Sequence, residues 1–170
     1  MKIYVLFILL LISHFAFSQD HPEGKISEKL AISGLVNKQL SLTLSDLKEL
    51  KTVELKNVKI IGKGGDVKRT IPSLKGYLLK DIINMAGIAE PNFKENGMIY
   101  FIASATDDYN VLCSWSEVFN SASDQVFVVT EEDGQPLNKD GKFALLCLKD
   151  KINGLRFVKW LNRIEVKKAN

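Results

Sequence analysis

Apolar residues along this chain come in short alternating bursts separated by Gly, Asn and Asp, and one stretch shows a clear helical stripe. Leu30 to Val36 reads as a first strand, with Gly34 and Asn37 marking the turn after it, and Leu40 to Leu42 as a short extended piece. Thr43-Leu-Ser-Asp46 has the spacing of an N-cap and its reciprocal acid, which predicts a short helix to about Lys51. Thr52 to Ile61 reads as a strand in which Val53, Leu55 and Asn57 share one parity and Val58 and Ile60 take the other. Gly62-Lys-Gly-Gly-Asp66 is a hairpin or crossover loop; it lacks P-loop spacing and no helix follows it directly. Leu78 to Ala86 is a helix striped by Leu79, Ile82, Ile83 and Ala86, with Gly87 at its stop.

Further along, Met98 to Ala103 is rich in strand formers, Asp107-Asp108-Tyr109 is a turn, and Asn110 to Cys113 returns as a strand. Ser114-Trp-Ser-Glu117 fits a capping box and predicts a short helix to about Asn120. Gln125 to Thr130 and Phe143 to Leu148 are strands, and Arg156 to Val166 holds the last strand or strands. Strands and helices do not alternate regularly, so a doubly wound parallel sheet is disfavoured. The expected class is α+β, β-rich, with short inserted helices, and the pattern shows no repeat and no second domain boundary.

The first residues fall outside this pattern. Lys2, the apolar run Ile3 to Ile12, and the small residues Ala16 and Ser18 read as a secretory signal, residues 1–18, cut before Gln19. The run is shorter than the ~20 apolar residues of a spanning helix, and no cysteine follows it to carry a lipid. The expectation is a periplasmic or secreted protein with no transmembrane segment in its mature chain. A flexible leader, residues 19–29, then precedes one domain over 30–168.

Charge adds little. Twenty-three Lys and Arg oppose twenty Asp and Glu, a net of +3, too weak a field to indicate nucleic acid or an anionic membrane. The basic residues do cluster, at Lys56 to Arg69 and at Lys149 to Lys168. Histidine changes the picture more. His14 and His21 are the two in the chain, one in the signal and one in the leader. The domain is thus without a Ser/His/Asp triad, a Cys/His dyad or a histidine metal site. Cys113 and Cys147 lie in apolar runs that read as core strands; two buried thiols or one disulfide would both satisfy that placement.

Four pieces in order carry a resemblance: Ile32-Ser-Gly-Leu-Val36 with Leu42 to Leu47; Leu74-Lys-Gly-Tyr-Leu-Leu-Lys-Asp-Ile82 with Ala86-Gly87; Ala105-Thr-Asp-Asp-Tyr109; and Gly154-Leu-Arg-Phe-Val-Lys-Trp-Leu161 with Arg163, Ile164 and Val166. Together they resemble the molybdopterin-binding domain of the sulfite oxidase family over about residues 30–168, and the Val-Lys-Trp-Leu piece is the most specific. The resemblance implies a β-rich fold cradling a pyranopterin, molybdopterin, whose metal takes one thiolate from a protein cysteine. It places that cysteine near the end of the strand at Thr52 to Ile61, where this chain has Leu55, Lys56, Asn57, Val58 and Lys59. It implies Arg156, Lys159 and Trp160 as cofactor-binding residues, the basic ones meeting the pterin phosphate or an oxyanion. Asp107, Asp108 and Tyr109 are implied as substrate-facing.

No catalytic residue and no metal ligand is assigned. The expected function is a non-catalytic binding module for a pterin-like or anionic small ligand or a partner protein. The competing reading is an active molybdopterin-dependent oxidoreductase acting on a small oxidised or oxyanion substrate.

Overall fold

The structure, a computed structural model, describes residues 24–89, 94–122 and 124–170. Two sheets dominate it. The first has the order β2-β1-β11-β5-β6, from Leu30–Gly34 (β1), Leu40–Leu42 (β2), Ile99–Ala105 (β5), Asn110–Ser114 (β6) and Leu161–Lys168 (β11). Its β1–β11 pair is parallel and its other pairs are antiparallel. The second has the order β10-β9-β7-β4-β3, from Val53–Ile61 (β3), Val67–Leu78 (β4), Val126–Glu132 (β7), Ala144–Cys147 (β9) and Phe157–Val158 (β10), with Gln135–Pro136 (β8) beside β7. Two helices, Leu79–Ala86 (α1) and Trp115–Phe119 (α2), complete the frame. The β-rich expectation holds. Among the described residues no helix is long and apolar enough to cross a membrane. The proposed signal lies outside the described residues.

The continuous apolar run at β9 follows from burial on both faces. Leu145 and Cys147 pack into the larger core with α1 and the first sheet, whereas Ala144 and Leu146 face a second core with Val58, Ile60, Ile71, Leu74 and Val129. A strand covered on both sides has no solvent face, so its alternation disappears. The second sheet is closed on itself by one side chain. Asn153, 5% exposed, donates from Nδ2 to the Lys59 carbonyl at 2.9 Å and accepts at Oδ1 from the Ile61 N–H at 2.8 Å. It thereby supplies the free edge of β3 with the pairing a neighbouring strand would give. The single 3-10 turn that carries it, Asn153–Arg156, runs directly into β10 at the opposite edge.

Two expectations need correction. Residues 43–51 form successive i to i+3 turns rather than a helix. The Thr43–Asp46 contact does form, with Thr43 N–H and hydroxyl both on the Asp46 carboxylate at 2.7 Å, but it closes a turn. Strand β4, twelve residues long, is unmarked by the sequence pattern. Its first four residues are exposed, and its buried Ile71 and Leu74 sit three apart. The spacing has a cause on the paired strand. Leu55 pairs with Leu74 and Val58 with Ile71, so both strands exchange faces between these rungs, where Asn57 takes a positive φ of 52°. Asn is among the few residues that tolerate that conformation. Elsewhere the expected elements are present, including α1 with its four-residue stripe, Gly87 at φ 65°, and the complete capping box of Ser114 and Glu117.

Candidate functional site

Lys159 follows β10 and stands between two surface hollows. One, of ≈ 340 Å³, is walled by Lys63, Lys68, Arg69 and Lys159 over a floor of Ile60, Leu155 and Phe157, with Gly62 and Gly154 at its rim. The other, of ≈ 380 Å³, shares Arg69 and Lys159 but adds Glu132, Asp133 and Asp140. The β3–β4 hairpin brings three of the four cations to the first hollow, because its turn at Gly62–Asp66 sets Lys63 and Lys68 beside Arg69. Three of these cations are paired with acids. Arg69 holds Glu132 in a fork of 2.7 and 3.1 Å, Lys159 meets Asp140 at 2.9 Å, and Lys68 meets Asp66 at 2.8 Å. The hydrogen bond from Lys68 keeps the Asp66 carboxyl below the usual carboxylate range. Lys63 has no ion-pair partner among the described residues. The Arg69 guanidinium also lies 5.8 Å from the centre of the Phe157 ring. The result is a shallow site with cations on its wall and apolar surface on its floor, suited to a flat or partly apolar anion.

The residues expected to serve the cofactor and substrate lie in separate places. Only Lys159 is in this cleft. Arg156 instead faces inward. Its Nε and Nη2 meet both carboxylate oxygens of Asp150, Nη2 also donates to Glu117 at 2.6 Å, and Nη1 donates to the Leu112 carbonyl at 3.0 Å. Those bonds occupy the planar fork that an anion would need. Trp160 has φ 48°. Its indole N–H donates to the Lys139 carbonyl at 2.7 Å, and its ring is overlain by Gly24. Part of the expected leader is therefore laid against the body, and Thr106 holds it through a 2.6 Å bond to the Lys25 carbonyl. Asp107 folds back on the Tyr109 N–H at 3.1 Å. Asp108, at φ 66°, lines a polar hollow with Ser104, Thr106, Asn110 and Arg163. Tyr109 donates its hydroxyl at 2.5 Å to the carbonyl of Leu155, a residue that lines the Lys159 cleft.

Lys63, Lys68, Arg69 and Phe157 were not singled out from the sequence. The available signal was the basic cluster from Lys56 to Arg69. Its significance depended on β4, the strand the pattern concealed.

A metal held by a protein thiolate does not fit this chain. On β3, where the resemblance places the ligand, Leu55 is half-buried, Lys56 pairs with Glu54, Asn57 and Lys59 are exposed and Val58 is buried. None is a soft anionic donor. Cys113 and Cys147 are both buried between the sheets, so neither opens onto a cleft. Among the described residues no three His, Cys, Asp or Glu side chains gather in a metal-binding group.

Comparison with known proteins gives two findings. The family model of the oxidoreductase molybdopterin binding domain matches residues 19–170. Among solved structures, the fold is similar to the sulfane dehydrogenase SoxCD from Paracoccus pantotrophus, with a TM-score of 0.64, at 17% identity over 86% of this chain. The match spans 40% of that protein's chain. No curated protein sequence matches significantly.

Proposed function

This chain belongs to the oxidoreductase molybdopterin binding domain family, and on that premise we propose that it is a binding module that holds a small anionic ligand in the cleft beside Lys159. The observation that carries this reading is the cleft itself, with four cationic side chains and no acid on a wall above Ile60, Leu155 and Phe157. A phosphorylated or carboxylated ring compound would place its charge among the cations and its ring on the apolar floor. Pterin phosphates have that chemistry. The short apolar run and the Ala16/Ser18 pair support delivery to the periplasm or the medium, which N-terminal sequencing of the mature protein would test.

Titration with a pterin phosphate or with inorganic pyrophosphate should shift the amide resonances of Lys63, Lys68, Arg69 and Phe157. Binding should weaken as salt rises, because exposed cations are screened within ~10 Å at 0.1 M ionic strength. Lys159→Ala should weaken it by about fivefold at low salt, one exposed charge contributing on the order of 1 kcal/mol. Affinity unchanged in Lys159→Ala and in Arg69→Ala would place the ligand elsewhere.

Family membership favours one other reading, an active molybdenum oxidoreductase, and elemental analysis separates the two. Protein produced in cells competent for molybdenum cofactor should contain molybdenum far below one atom per chain. Near-equimolar metal, lost in Cys113→Ser, would restore the enzyme.

A further inference from the structure

The first sheet and the second each contribute one cysteine to the core between them. Cys113 lies on β6 and Cys147 on β9, 0% and 2% exposed, with their sulfurs 3.6 Å apart. Neither strand neighbours the other in a sheet. Contact between them therefore depends on how the two sheets pack.

The surroundings of the two sulfurs differ. Arg156 Nη1 lies 3.9 Å from Cys113 Sγ while the rest of that guanidinium holds Asp150 and Glu117. The Arg156 side chain is 23% exposed, so the polar group touching Cys113 also touches solvent. On the core side the sulfurs are enclosed by apolar residues of the main cluster.

We propose that Cys113 and Cys147 form a redox pair, which a small hydroperoxide oxidises in the folded protein to a disulfide tying the two sheets together. Cys113 is the attacking sulfur. The sulfur contact with Cys147 and the nearby Arg156 charge favour its thiolate against the effect of burial, whereas that contact and burial hold Cys147 protonated. The Cys113 thiolate attacks one oxygen of the peroxide, the O–O bond breaks, and the departing hydroxide takes a proton to become water. The resulting sulfenic acid faces Cys147. Attack by the Cys147 sulfur then breaks the S–O bond, forms the S–S bond and releases a second water, with the thiol proton leaving on it. Two thiols and one hydrogen peroxide thus give one disulfide and two waters. Burial sets the size of the oxidant, since a bulky disulfide reagent cannot approach either sulfur in the folded state, and the route proposed for a small hydroperoxide passes the partly exposed Arg156 side chain that touches Cys113.

The test uses the reduced full chain. After treatment with hydrogen peroxide, quenching and unfolding, both thiols should be lost together to alkylation, without dimerisation, and dithiothreitol should restore both. In Cys147→Ser, Cys113 should stop at a sulfenic acid trapped by dimedone; in Cys113→Ser, Cys147 should remain a thiol. Cys147→Ala and Cys113→Ala repeat the comparison if the serine hydroxyl prevents folding. The proposal is overturned if both thiols survive peroxide in the folded protein, if Cys147 is the residue trapped, or if the product is an intermolecular dimer. These outcomes leave the anion cleft untouched, because no residue of the pair lines it.

Discussion

Gly76→Ala should lower the urea midpoint of unfolding sharply. Gly76 is buried on β4 at the point where that strand slips register against β7, between Lys75 and Gly76. A Cβ there would overlap the Val128 carbonyl oxygen and come within 2.9 Å of Val129 Cα. Both obstacles are backbone, so no rotamer change relieves them. The β4–β7 ladder lies in the middle of the second sheet, with β3 beyond one strand and β9 beyond the other, and it must move as a whole. Overpacking of this kind costs about 3 kcal/mol, toward the upper end of single-residue effects. Gly97→Ala is the control, because a Cβ on Gly97 meets nothing within 4 Å. Equal midpoints for the two variants in urea would refute the argument from close approach.

Arg156→Ala should be nearly as damaging and should carry a pH signature. The change strips Asp150 and Glu117 of the cation they share, their side chains being 22% and 31% exposed. Removing one partner of a half-buried pair leaves the other charge poorly solvated, and partial exposure moderates the penalty to about 2–3 kcal/mol. Burial alone pushes the Glu117 carboxyl up, but hydrogen bonds from Arg156 and from the Ser114 N–H and hydroxyl outweigh it and hold the carboxyl below its usual range. A carboxyl lowered on folding stabilises the protein above its unfolded value, roughly 4.3. That contribution is lost as pH falls through the folded value. Without Arg156 only the Ser114 hydrogen bonds oppose burial, so Glu117 loses part of this contribution. The stability difference between the parent and Arg156→Ala should therefore be full at pH 7 and shrink below about pH 4. Urea midpoints at pH 7 and pH 3 measure it. A difference independent of pH would mean that Arg156 acts only through packing.

How much of this could be read in the sequence depended on whether each signal was local. The stripe of α1, the Ser114–Glu117 box and the apolar run at β9 are local, and each marks its element to within a residue or two. Strand β4 was hidden because its faces swap opposite Asn57, a residue on another strand. The family likeness resided in short motifs and held, yet it could not reveal side-chain partners. Arg156 and Lys159 are three residues apart in one motif, but Arg156 closes the 3-10 turn before β10 and enters the inter-sheet frame, whereas Lys159 follows β10 and stands at the cleft. Their difference lies in Asp150, Glu117 and Leu112, distant neighbours that no spacing within the motif encodes.

The parallel pairing of β1 with β11 has a bearing on when the protein can fold. Strand β11 sits between β1 and β5 in the first sheet, and its partners Ala31 to Gly34 meet residues 163 to 166. The sheet thus lacks its central strand until residues 161–168 have been made. Asn153, which reaches back to Lys59, imposes a similar wait on the second sheet. Contacts this distant in sequence give a high contact order and slow folding. Such a topology keeps a nascent chain open until β11 has emerged. Truncation within β11 should accordingly remove the folded state as a whole, instead of shortening it by one strand.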